Sequence, residues 1–146
     1  MPEMNTAKVL PMTSALILTL ILAVCGGSSA AQEHFAAGAE LQKQGQFEAA
    51  ITEYEEAIRL DPDYRDAYTN QGAAYLILDR PEKATQSFGE WIRLGPEDGA
   101  AYANRALSFT HLGKDLEAQK DVERAVALGI GRDQLERTIE DMKGQR

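Results

Sequence analysis

The side chains able to do chemistry in this 146-residue chain are few and poorly spaced for it. His34, His111 and Cys25 are its entire imidazole and thiol stock, so a zinc site would need carboxylates to complete it. The run Asp61-Pro62-Asp63-Tyr64-Arg65-Asp66 offers oxygen ligands at alternate positions for two steps. Arg65 stands at the third and no glycine follows, so it fails as a calcium loop. Neither a nucleophile–base motif nor a phosphate loop is present. The acidic run Glu53, Glu55 and Glu56 reads as a solvated helix face, and Trp91, near Phe88, as a core residue. The expectation is a protein that is not an enzyme and needs no metal or cofactor. What remains is hydrogen-bonding capacity: Asn70 and Asn104, 34 residues apart, can each bond a main-chain amide of a ligand.

Composition narrows the partners. Asp and Glu number 23 against 15 Lys and Arg, a formal charge of −8, so the basic footprint that phosphate backbones require is missing and nucleic acid is excluded. At 44% hydrophobic the chain is apolar enough to bury a core.

The elements that position the asparagines come from a period of 34. Pro62 and Pro96 stand one period apart, as do Leu60, Leu94 and Leu128, and Ala50, Ala84 and Ala118. Gly38, Gly72 and Ala106 form a small series, and Leu41, Tyr75 and Phe109 a large one. Apolar residues fall at helical intervals within each unit and no stretch alternates long enough for a strand. Gly45, Gly113 and the pair Asp79 and Pro81 mark turns, with Pro81 expected to open a helix after a capping Asp79. Gly38 and Gly72 are expected to face Ala50 and Ala84 and let the helix axes approach closely. His34, at the position of Tyr68 and Tyr102, reads as a packing residue. The tail 133–146 reads as a further helix capped by Asp133, with Leu135, Ile139 and Met142 on one face.

These matched small, aromatic and proline positions resemble the tetratricopeptide repeat (TPR) family. The resemblance covers residues 31–64, 65–98 and 99–132, with departures at Trp91 (Ala57 and Ala125 elsewhere), Asp115 (Phe47 in the first unit) and Ile130 (proline elsewhere). It implies an all-α solenoid, a right-handed superhelix of three helix-turn-helix units closed by the helix at 133–146. It also implies that a second face of each first helix turns to the concave side, where family members hold peptides or helices. By helical spacing that face carries Phe35, Ala39, Gln42 and Lys43 in the first unit. The second contributes Asp66, Thr69, Asn70, Ala73, Leu76 and Ile77, and the third Ala103, Asn104, Leu107, Thr110 and His111. Some TPR domains clamp the C-terminal carboxylate of heat-shock chaperones with basic residues and Asn. Phe35, Ala39 and Ala100 occupy positions where such a clamp needs Lys or Asn, and only Asn70 agrees. The expected ligand is therefore an apolar or amphipathic segment of a protein partner.

Residues 1–30 read as an export segment. Lys8 precedes an apolar run from Val9 to Cys25, and Gly26, Gly27, Ser28 and Ser29 follow, with cleavage expected after Ala30 or Ala31. Two readings stay open beside cleavage: lipidation of Cys25, since Leu22-Ala23-Val24-Cys25 resembles a lipobox except at Val24, and an uncleaved anchor. All three place the rest of the chain outside the cytoplasm, in a periplasmic or other extracytoplasmic space, and touch membrane only through this segment. The sequence leaves two roles: an exported adaptor that binds a partner peptide, or a membrane-tethered assembly subunit acting by oligomerisation.

Overall fold

A computed structural model describes residues 14–145, with side chains from residue 29 onward. The start of the expected export segment, 1–13, and the side chain of Cys25 lie outside the described residues. Among the described residues the chain is helical, without strands: α1 (Ser14–Lys43), α2 (Phe47–Leu60), α3 (Arg65–Ile77), α4 (Pro81–Leu94), α5 (Gly99–His111), α6 (Asp115–Ala127) and α7 (Arg132–Lys143). The bounds of α3 and α5 coincide after a shift of 34, as do those of α2 and α4. Helix α1 is longer than its counterparts because it runs unbroken from Ser14 through Gly26–Ser29 and past both expected cleavage points. Among the described residues no helix is long and apolar enough to cross a membrane.

Each second helix buries one stripe at helical spacing: Ala50, Ile51, Tyr54 and Ala57 on α2; Ala84, Ser87, Phe88 and Trp91 on α4; Ala118, Asp121, Val122 and Ala125 on α6. Close approach of the first helix fixes the residue opposite. A Cβ on Gly38 would lie 2.6 Å from the Tyr54 ring, and one on Gly72 would lie 2.5 Å from the Phe88 ring. The glycines therefore make room chiefly for aromatic rings rather than for Ala50 and Ala84, although Gly38 also lies against the Ala50 carbonyl. Where the third unit carries Ala106, the ring is replaced by Val122, which is 1% exposed. Small plus large becomes medium plus medium, at similar filled volume.

The turns explain themselves in the same register. Gly45, Asp79 and Gly113 all adopt positive φ, and the next amide closes back on the first helix in each unit: Gln46 to Leu41, Arg80 to Tyr75 and Lys114 to Phe109. Asp79 is thus a left-handed turn residue, not a cap. Pro81 does open α4, but the N-cap is Arg80 and makes no side-chain cap bond. Between units, Asp61 in extended backbone and Gly95 outside helical backbone end their helices ahead of Pro62 and Pro96, which have no N–H to give. Ile130 has one, and it bonds the Ala125 carbonyl at 3.0 Å over a left-handed Gly129. The missing proline therefore changes the turn that launches α7. That helix is N-capped by Gly131, and Asp133 sits in its first turn, where a carboxylate suits the helix dipole.

Successive first helices touch one another, α1 with α3, α3 with α5 and α5 with α7, whereas the second helices do not meet among the described residues. A stack whose first helices are closer than its second helices curves, and the first helices form its inner layer.

Candidate binding face

The inner face combines residues that are free with residues already used by the fold. Asp66 is exposed at one end of α3, and Ile77 is 58% exposed at the other. Ala39, Ala73 and Leu107 are half-buried, and Leu107 packs against the cluster formed by Ala106, Val122, Ala125, Leu135 and Ile139. Leu76 likewise leans on the core built around Phe88. Thr110 is fully buried and bonds the Ala106 carbonyl, so it is covered at the α7 end of the face rather than free to meet a ligand. Phe35 belongs to an aromatic group, 5.9 Å from the Tyr54 ring and 5.1 Å from that of Tyr64.

The two asparagines differ. The buried hydroxyl of Tyr54 donates to Gln42 Oε1 at 2.9 Å, joining α2 to α1, and Asn70 of α3 is its second polar neighbour. Burial pushes the Tyr54 phenol up, and Asn70 opposes that shift. The second unit has Phe88 at the position of Tyr54, so Asn104 finds no such hydroxyl. Its Nδ2 turns back to the Ala100 carbonyl at 2.9 Å, which leaves Oδ1 without a partner among the described residues. Asn70 is committed to joining two units, and Asn104 is the more available of the pair.

His111 closes the face at the end of α5. Its Nδ1 lies 3.8 Å from Asp79 Oδ1, and it borders a hollow of about 190 Å³ with Thr110, Met142 and Gln145. Sequence reading did not place α7 on this face. Carrying the period of 34 into the tail would have done so: Thr138 follows Asn104 by one period and bonds the Gln134 carbonyl as Asn104 bonds Ala100. His34 is not a packing residue. It is partly exposed, with Nδ1 2.7 Å from Glu53 Oε2, which takes Glu53 out of the purely solvated face. Trp91 is 7% exposed and donates to Asp98 Oδ2 at 3.2 Å, while Oδ1 of the same carboxylate caps α5 at Ala100.

A buried polar pair joins the helices of later units. Ser87 donates to Gln71 at 2.7 Å; one period on, Arg105 forms two bonds with Asp121, at 2.7 and 2.9 Å. Those bonds push the Arg105 guanidinium up, and Tyr102 and Phe109 flank it at 5.8 and 5.7 Å. Among the described residues no group of three or more His, Cys, Asp or Glu is arranged to hold a metal ion. The face can therefore offer apolar contact and hydrogen bonds, and little net charge.

Residues 38–78 match the family model described as TPR repeat. An uncharacterized protein of Methanocaldococcus jannaschii is 38% identical over 58 residues, which cover 40% of this chain and 67% of that relative. The first TPR of Spaghetti (RPAP3), solved bound to the HSP90 peptide SRMEEVD, superimposes with a TM-score of 0.73 at 25% identity, over 81% of this chain and 94% of that one. The second TPR domain of human RPAP3, solved in complex with the HSP70 peptide SGPTIEEVD, gives a TM-score of 0.71 at 27% identity, over 82% and 98%.

Proposed function

The chain belongs to the tetratricopeptide repeat family, and on that premise we propose that it is a non-enzymatic adaptor holding a peptide or helical segment of a partner protein along the inner faces of α1, α3 and α5. The observation that carries this reading is the continuous inner layer of first helices, with Ile77 of α3 more than half exposed and the Asn104 side chain of α5 bonded only to its own helix. The two RPAP3 domains were solved with the HSP90 peptide SRMEEVD and the HSP70 peptide SGPTIEEVD, both rich in acidic residues. Here Phe35, Ala39 and Ala100 stand where such a carboxylate would need cations or amides, so the ligand fitting this face is apolar or amphipathic rather than a chain terminus.

The site of action we propose is outside the cytoplasm, supported by the apolar run from Val9 to Cys25 and the small residues after it. A second reading, a subunit that stays tethered and works by assembly, draws support from the unbroken course of α1 across Ala30 and Ala31.

Photocrosslinking tests the adaptor reading in the native envelope fraction. A benzophenone side chain at Ile77 should capture a discrete partner, and one at the exposed outer residue Glu123 should not. Adding Asn104→Ala and replacing Ile77 with Glu should reduce affinity capture by on the order of tenfold while circular dichroism stays unchanged. Both positions are chosen because, unlike Leu107, neither supports the core. Undiminished capture by this double variant, or adducts from position 123 alone, would move the binding site off the inner face.

A further inference from the structure

The leading face of the first unit departs from the period in a consistent direction. Every later first helix presents the same positions to the second helix of the unit before it. Ala67 and Ala101 are 0% exposed, Ala67 within the cluster of α2 and Ala101 within that of α4; Leu135 of α7 repeats the arrangement against α6. Ala74 and Ser108, seven residues further along their helices, are also 0% exposed. Leu78 follows, packed on the same core, and Leu112 is partly buried one period on. In the first unit these three positions read Glu33 and Glu40 of α1 and Gln44 just after it, all exposed. They lie collinear with Ala37, and Gln44 and Lys43 both bond the Glu40 carboxylate. The far end uses the same device. Glu140 stands one period after Ala106, at the small-residue position that lets a second helix approach, and Lys143 pairs with it where Leu41, Tyr75 and Phe109 provide apolar bulk.

We propose that Glu33, Glu40 and Gln44 close the leading face of the solenoid against any further helical layer, a second copy of this chain included. A helix packed there would bury two carboxylates opposite a surface that elsewhere in the molecule receives alanine, and nothing on that surface would pair with them. Two copies meeting through this face about a two-fold axis would set four carboxylates against each other, two from each protomer. End-on stacking is closed, and a partner must use the sides of the solenoid. This does not rest on the inner-face reading, and it removes one geometry from the assembly reading.

Site-specific crosslinking of the full chain tests it. In a Cys25→Ser background, Ala37→Cys places one thiol in the middle of the leading face, and a short bismaleimide reports contact there whatever the apolar N-terminal segment does. With Glu33, Glu40 and Gln44 in place, no dimer linked through position 37 should form. Changing Glu33→Ala, Glu40→Ala and Gln44→Leu, the residues of the second unit, should produce that dimer. Sedimentation should show self-association strengthened on the order of tenfold or more. Exposed alanine and leucine favour the helix, so circular dichroism should match the parent. Dimer through position 37 with the native residues, or none after all three changes, would overturn the proposal.

Discussion

The second and third units fill one geometry by two different means. At the tight crossing the second unit uses Gly72 under the ring of Phe88, and the third uses Ala106 beside Val122. One position earlier on each helix, the second unit sets a neutral bond from Ser87 to Gln71, while the third sets a two-pronged ion pair between Arg105 and Asp121. The difference teaches that the period conserves volume and complementarity between facing positions, not the residues themselves. It also makes the hairpins unequal in how they fail. The second depends on aromatic packing. The third depends on a charge pair in which Asp121 is 8% and Arg105 24% exposed.

Removing one partner from each polar pair should separate the units most widely. Asp121→Ala strands the guanidinium between two rings with only partial access to water, and should cost about 2–3 kcal/mol, toward the low end for a broken buried pair because Arg105 is partly solvated. Ser87→Ala removes a neutral bond and should cost about 1 kcal/mol. Urea denaturation followed by circular dichroism measures both. Equal losses would mean that the charge pair is held no more tightly than the neutral one.

Exchange of the packing solutions tests volume conservation directly. Gly72→Ala alone drives a methyl group into the Phe88 ring and should cost about 1–3 kcal/mol. Phe88→Val alone leaves a void and should cost a similar amount. Together they recreate the pairing of the third unit, so the double variant should be more stable than the sum of the single changes by about 1 kcal/mol. Strict additivity in this thermodynamic cycle would show that the two positions do not share one space.

The same contrast explains what the amino-acid pattern could reveal. The all-α repeat, the closing helix and the buried series followed from the period, because apolar spacing and small residues act through volume, which residue type encodes. Hydrogen-bond partners were less legible. Asn70 and Asn104 look identical in the chain, and only the hydroxyl of Tyr54, absent from Phe88, gives one a polar partner in the neighbouring unit while the other bonds its own helix. Thr110 is not free on the expected face for a related reason: its methyl group is buried while its hydroxyl is satisfied by its own helix. His34 kept the register of a tyrosine but found a carboxylate, Glu53, within reach. A polar side chain's destination depends on which neighbour offers a matching atom, and that neighbour lies on another helix.

The smallest expected effect concerns the turns, where the second unit departs from both others. Gly45 and Gly113 adopt φ of 76° and 68°, and Asp79 is held at 54° in the same role. A side chain in this region is strained by contact between Cβ and the backbone, although aspartate tolerates it better than most residues. Asp79→Gly relieves that strain, gives up the 3.8 Å contact with His111, and gains chain entropy in the unfolded state. The opposing terms should leave a net gain of a few tenths to about 1 kcal/mol. Asp79→Ala, which keeps Cβ and loses the side-chain polarity that makes the conformation tolerable, should lose stability instead. Opposite signs for these two variants in thermal melts would identify backbone conformation as the controlling quantity. A loss in both would assign the role of Asp79 to its contact with His111.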